Sequence, residues 1–160
     1  MGSLGEVLTG NTPPTSDKSD WVDGTAGRVW ITPSDISSLK TNNSLRHLSN
    51  QGWEKARILP ANSVLITSIA SIGKNTINEV PAAFNQQINA IIPKHNDSYF
   101  ILSSMLKNTA KFKALAGQTA TAIINKSAFE KFCIDVPSVE EQERIALIIK
   151  NIDDTITLHQ

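Results

Sequence analysis

The side chains best equipped for chemistry do not assemble into a catalytic pattern. Ser68-Ile-Ala-Ser-Ile-Gly73-Lys74-Asn75 has the ending of a phosphate-binding loop, but Ser68 replaces the first glycine and Asn75 replaces the hydroxyl that would ligate Mg²⁺. Asn11-Thr12-Pro13-Pro14 differs from the Asn-Pro-Pro-aromatic motif of amino-methyltransferases by the inserted Thr12 and the missing aromatic. No glycine-rich cofactor loop accompanies it, which argues against methyl transfer. His47, His95 and His159 are far apart, and none lies at i, i+4 with another ligand, so a catalytic zinc is not expected. Cys133, between Phe132 and Ile134, reads as a small buried hydrophobe. There is no Gly-x-Ser-x-Gly elbow. Asp35, Glu54, Glu79, Asp97 and Glu130 are too scattered to suggest a nuclease metal pair. The expectation is a chain with no catalytic residue, no metal and no cofactor.

Composition is that of an ordinary globular domain: 160 residues, 40% hydrophobic and 19% charged. No apolar run approaches the ~18 residues of a membrane span, and the N-terminus has no signal-peptide pattern. One cysteine builds no disulfide framework, so a reducing, cytoplasmic setting fits. The formal net charge is zero, yet Gly24 to Lys131 carries 12 Lys/Arg against 5 Asp/Glu, a net of +7. That distribution is compatible with one electropositive face, although scattered solvated lysines are the plainer reading.

The elements that must position any site follow from periodicity and turn chemistry. Residues 9 to 27 are rich in Thr, Asn, Pro, Ser, Asp and Gly and read as loop. Arg28–Thr32 reads as a short strand, and residues 37 to 52 as a polar loop or excursion. Val64–Ala70 is nearly continuous in apolar character, which predicts a central strand buried on both faces. Thr76–Val80 and Ile88–Ile92 are further strands. Asp97 or Ser98 caps a helix with the stripe Tyr99, Leu102, Leu106, running to about Leu115, and Gly117 is its terminator. Lys126–Lys131 is a short helical turn, and Cys133–Pro137 reads as a last strand.

The sharpest local signal is at the end. Ser138-Val-Glu-Glu141 has the form of a capping box, and Glu140, Glu141 and Glu143 suit the positive end of a helix dipole. Ile145, Ile148, Ile149, Ile152 and Ile156 then recur at helical spacing and make one apolar seam. The seam calls for a partner: its own domain, or a second helix. No Gly or Pro ends it, so the helix is expected to continue past Gln160.

An ordered series of motifs resembles the target recognition domain of a type I restriction-modification specificity subunit, over nearly the whole chain. Leu4-Gly-Glu-Val-Leu-Thr-Gly10 with Thr12-Pro13 is similar to the opening "Leu-Gly-Glu…Gly-Gly-Thr-Pro", with Asn11 for the second glycine. Trp30-Ile-Thr-Pro-Ser-Asp-Ile36 resembles "Trp-Ile-x-x-x-Asp-Ile". Ile58-Leu-Pro60, Ser63-Val-Leu-Ile66 and Ser71-Ile-Gly-Lys74 resemble "Leu-Pro-x-Gly-(Ser/Thr)-(Val/Leu)-Leu…Ile-Gly", with Asn62 where glycine is usual. Asn85-Gln86, Gly117-Gln-Thr119 and Val136-Pro-Ser-Val-Glu-Glu-Gln-Glu-Arg-Ile145 complete the series.

The resemblance implies an α+β fold: a mixed, twisted β-sheet recognition domain over residues 1–137 with several helices, then a spacer or dimerisation helix from 138 to 160. It implies sequence-specific recognition of one half of a split double-stranded DNA target and no catalysis. It implies docking to a methyltransferase subunit, a restriction subunit joining through it, and a second recognition domain or second copy paired through the helix. It also implies that this chain is a half-subunit or a truncated one. An alternative is an assembly module that pairs through Ile145, Ile148, Ile149, Ile152 and Ile156 with little DNA affinity of its own.

Under the DNA reading, loops supply the contacts. Candidates are Lys40, Asn42, Asn43, Arg46 and His47 in the polar excursion, and Lys74, Asn75 and Thr76 after Gly73, where the backbone is expected to approach a phosphate. Gln118 and Thr119 follow Gly117 in the same way. Lys111 and Lys113 divide between phosphate contact and compensation of a helix dipole. Trp30 is expected in the core, Trp53 is undecided, and Asn85-Gln86 reads as structural more than base-reading.

Overall fold

The computed structural model describes residues 1–117 and 122–158. Among the described residues, ten strands form two sheets, accompanied by five α-helices and one 3-10 turn. The first sheet contains β1 (Gly5–Thr9), β4 (Lys40–Thr41), β7 (Val64–Thr67), β8 (Asn75–Asn78) and β10 (Ile88–Pro93), in the order β1-β10-β7-β8-β4. The second contains β2 (Trp21–Val22), β3 (Arg28–Ile31), β5 (Arg46–Leu48), β6 (Ile58–Leu59) and β9 (Ala82–Phe84), in the order β2-β5-β3-β9-β6. Both are mixed: β4 runs parallel to β8 and β3 parallel to β9, and the other pairs are antiparallel. The expected α+β class is found, with two sheets where one was expected.

β7 shows why the sheets stack. Side chains alternate along a strand, so Val64 and Ile66 enter the core beneath the helices, while Leu65 enters the core between the sheets with Ile31, Leu59, Phe84, Ile88 and Ala90. All four β7 residues are buried, as the apolar run predicts, but the strand expected to reach Ala70 ends at Thr67, and Ala70 is exposed with a φ of +61°. Among the described residues, buried side-chain polar atoms other than His47 Nδ1 and Asn75 Oδ1 are hydrogen-bonded. Asn89 Oδ1 accepts from Thr9 Oγ1 at 2.6 Å, and its Nδ2 donates to Ile124 O at 2.9 Å. Asn78 bridges Ser63, Pro60 and Val80 in the same manner.

Three helices cover the outer face of the first sheet, while the short helix after β5 packs beside the second. Asp97 caps α2 (Ser98–Lys107) by accepting from the Phe100 N–H at 2.8 Å. The single helix expected to Leu115 is two, because Asn108 separates α2 from α3 (Thr109–Ala114). Phe100, Ile101, Leu102 and Met105 are the buried α2 side chains; Leu106, assigned to the stripe, is exposed. The polar excursion at 37–52 contains β4, β5 and the start of α1 (Asn50–Lys55), whose Gly52 backs onto Asp20. Asn125 caps α4 (Lys126–Lys131). Cys133–Pro137 is not a strand. The chain there puts Phe132 and Ile134 against the core and leaves Cys133 exposed, which corrects the buried reading.

The last helix, α5 (Val139–Leu158), is seated on α2. Gln142 is its key. Its Nε2 donates to Asn96 Oδ1 and Pro137 O, and its Oε1 accepts from the Asp97 N–H, each at 3.1 Å. Ala146 is buried beside it. Tyr99 OH donates to Asp153 at 2.6 Å; partial burial and that carboxylate push the phenol well above its ordinary range. The capping box forms loosely: the Glu141 N–H lies 3.4 Å from Ser138 Oγ. The backbone N–H of Glu140, and then the Ser138 hydroxyl, hold the Glu140 carboxyl below its usual range.

Candidate nucleic-acid interface

Loop 42–46 is tied down at almost every residue. One Asp35 carboxylate oxygen accepts from the Leu45 N–H at 2.8 Å. The other accepts from the Thr32 N–H at 2.7 Å and Thr32 Oγ1 at 2.6 Å. Asn43 Oδ1 lies 2.9 Å from both the Ser44 N–H and His47 Nε2. Ser44 Oγ donates to Arg46 O at 2.7 Å and accepts from the Trp30 N–H at 3.0 Å. Asn42 Nδ2 donates to Glu79 at 3.2 Å, and Lys40 pairs loosely with the same carboxylate at 3.9 Å. A loop so anchored keeps one shape, which a reader of base edges needs.

Beside it sits a tryptophan and arginine cluster on the outer face of the second sheet. Trp30 and Arg46 are paired across β3 and β5, and Arg28 lies opposite Leu48. The Arg46 guanidinium lies 3.6 Å from the centroid of Trp21 and 5.4 Å from that of Trp30. Arg28 lies 5.0 Å over Trp53 and donates through Nε to Asn50. Trp30 is buried, as expected; Trp53, undecided from sequence, is half-buried beneath Arg28. Neither arginine makes an ion pair among the described residues. Stacking thus holds two exposed guanidiniums in place, a group suited to phosphate or guanine. The cluster is braced from behind: the fully buried Asp20 carboxylate accepts from Lys55 Nζ at 2.6 and 2.9 Å. That hydrogen bond, reinforced by Asp17, raises the Lys55 ammonium above its usual range. Asp17 itself is lowered, mainly by hydrogen bonds from Ser19 and then by Lys55.

The other sequence candidates separate. His47, Asn75 and Thr76 have side chains behind the surface: His47 is 3% exposed, Asn75 5% and Thr76 0%. Thr76 Oγ1 bonds Thr41 Oγ1 at 2.8 Å, and Asn75 Nδ2 donates to Gly73 O at 2.8 Å. Lys74 is exposed, but the backbone beside it is engaged. The Gly73 N–H donates to Thr67 O and the Lys74 N–H to Thr67 Oγ1, each at 2.9 Å. Gly73, at φ +90°, turns its bare side to α3, where a Cβ would meet Thr109 Cγ2 at 3.0 Å. The close approach expected for a phosphate is made by the protein's own helix. Lys113 reaches the same groove as Lys74, whereas Lys111 lines the groove between α2 and α5 with Ile145 and Ile149. Gln118 and Thr119 lie outside the described residues. Asn85 is structural, its Oδ1 accepting from the Gln87 N–H at 2.9 Å, and Gln86 is exposed and bonded by Thr12.

The isoleucine seam also divides. Ile145 and Ile149 are half-buried against the domain, while Ile148, Ile152 and Ile156 are exposed, joined by Leu147 on an adjoining face. Arg28, Leu45 and Gln142 were not picked out by sequence reasoning. Leu45 had a signal, being the one leucine between Asn42 and His47; Arg28 was absorbed in a strand, and Gln142 in a motif.

A rigid two-sheet frame, polar loops with stacked arginines and a helix seated on one side define a recognition domain. The chain belongs to the type I restriction modification DNA specificity domain family, whose model matches residues 1–160. It is 30% identical to the type I restriction enzyme MjaIX specificity subunit of Methanocaldococcus jannaschii, over 96% of this chain and 37% of that protein. It is 27% identical to the EcoR124I/EcoR124II specificity subunit of Escherichia coli, over 96% of this chain and 40% of that protein. The fold is shared with a chain from a structure of type I R-M system assembly and conformational transition, at a TM-score of 0.79 with 18% identity, covering 98% of this chain and 38% of that one. It is also shared with the HsdS subunit of Thermoanaerobacter tengcongensis, at a TM-score of 0.73 with 16% identity, covering 98% and 37%. This chain thus spans about two-fifths of the length of these proteins.

Proposed function

We propose that this chain is the non-catalytic DNA reader of a type I restriction-modification enzyme and recognises one half of a split duplex target. The observation that carries the reading is the family match over residues 1–160, on a chain spanning about two-fifths of its relatives. The anchored loop at 42–46, and Arg28 and Arg46, which make no ion pair among the described residues, support it as a surface for base edges and phosphates. Lys40, Asn42, Asn43, Lys74 and Lys113 are the further contacts in this reading; His47, Asn75 and Thr76 act through the frame they support. Residues 1–137 read DNA, and the helix from 138 onward joins the reader to a second recognition domain or second copy. A methyltransferase subunit docks on the assembled reader, a restriction subunit joins through it, and the complex works in the cytoplasm.

A second reading, an assembly module with little DNA affinity of its own, is favoured by the exposed Ile148, Ile152 and Ile156. The two are compatible, since a domain that reads a few base pairs binds weakly until a second is attached. The deciding experiment is methylation mapping of DNA from cells with and without the gene. A split motif should lose methylation, or change one half, when the gene is removed. An unchanged methylome in a strain expressing the partner methyltransferase would sink the DNA-reader reading.

A further inference from the structure

We propose that Leu45 reads a thymine, through contact between its isobutyl group and the C5 methyl in the major groove; this rests on the DNA reading above. Leu45 is 81% exposed, more than any other large hydrophobic residue described. It is not on a fraying segment. Asp35 holds its N–H, Asn43 and Ser44 hold the turn before it, and β5 begins directly after it. The fold fixes an apolar side chain in water and gains nothing for it inside the chain.

Its surroundings indicate what should cover it. Asn42 and Asn43 precede it, and Arg46, stacked on Trp21, follows. The nearby carboxylates are engaged: Asp35 by three hydrogen bonds, Glu79 by Asn42 and Lys40. Every other exposed large hydrophobic lies at residue 106 or beyond. Protein-binding hot spots sit in well-packed clusters of anchors, not as one leucine among amides and guanidiniums. A base edge in a phosphate-lined groove matches that pattern. Thymine alone among the unmodified bases offers an apolar group there.

The test removes the same contact from each side. Duplexes are selected from a random, unmodified pool on the full chain assembled with its methyltransferase subunit, at low ionic strength. The winners are remade with deoxyuridine at one thymine at a time. Binding of the parent and of Leu45→Ala is then read by fluorescence anisotropy. At one thymine the parent should lose roughly fourfold in affinity, the value of one buried methyl. Leu45→Ala should bind the thymine duplex with a similar loss and be nearly indifferent to deoxyuridine at that position. Thermal unfolding of Leu45→Ala should match the parent, because the side chain is solvated in the free protein.

If a sequence is selected but no deoxyuridine weakens the parent, the proposal fails while the DNA reading stands. The same holds if the deoxyuridine penalty persists in Leu45→Ala, or if Leu45→Ala weakens all duplexes equally. Weakened binding of the methyltransferase subunit with unchanged DNA binding would reassign Leu45 to a protein contact. If no sequence is selected at all, the DNA reading falls and takes this proposal with it.

Discussion

Asn62 shows how much a single residue can reveal. The resembling motif carries glycine at this position, and the structure gives Asn62 a φ of +66°, in the left-handed region. Asparagine is among the few non-glycine residues that adopt it readily. The side chain is exposed, while the backbone is fixed by the Asn62 N–H donating to Asn78 O and by Ser98 Oγ donating to Asn62 O. Asn62→Gly should therefore stay within about 0.5 kcal/mol of the parent, while Asn62→Ala should cost about 1–2 kcal/mol, both read from chemical denaturation midpoints. Equal stability of the two variants would refute a backbone origin. Two other motif positions have similarly local explanations. A Cβ on Gly10 would lie 2.2 Å from Asn85 O, so the first motif must pack bare backbone against the Asn-Gln turn. Asp35, the acid of the Trp-Ile motif, anchors Thr32 and Leu45.

At the scale of elements, legibility followed length. β7, β10, α2 and α5 were readable because four or more residues of each repeat one period. β2, β4 and β6, of two residues each, were not. Their pairing is decided by distant partners, as when β4 aligns Lys40 with Ile77. Periodicity also gave the apolar seam of α5 but not which edge of it the domain occupies. Gln142 and Ala146 turn out to be the buried centre, so the seam is offset, with Ile145 and Ile149 inward and Ile148, Ile152 and Ile156 outward. An outward row at i, i+4, i+8 is an apolar helix face of the kind that pairs with a second helix. Ile148→Asp with Ile152→Asp should shift the chain from a self-associated to a monomeric elution volume. It should leave the unfolding midpoint of the monomer unchanged, because both side chains are already solvated. A monomeric parent, or a variant that elutes as the parent does, would count against pairing through this face.

For the molecule as a whole, zero net charge conceals two separate lysine pairs. Lys74 and Lys113 line one groove at the Gly73 turn. The segment Ser37–Leu39 lines an adjoining groove with Lys74 and leads directly into β4 and loop 42–46, so under the proposed DNA reading this groove extends the contact surface. Lys107 and Lys111 instead line the groove between α2 and α5, over Phe100, Ile145 and Ile149. The pairs have equal charge, so neutralising either shifts the overall field alike; only phosphate contact distinguishes them. Counterion release makes the logarithm of affinity fall with that of salt by about 0.9 per phosphate neutralised. Lys74→Gln with Lys113→Gln should therefore lower the slope by nearly two, weakening all DNA sequences about equally. Lys107→Gln with Lys111→Gln should lower it by much less. Titrations of one duplex between low and moderate salt, repeated for both double variants, decide the matter. Equal slopes for the two variants would mean that the lysines act only through net charge. A larger loss from the α2–α5 pair would move the DNA track to the helical side.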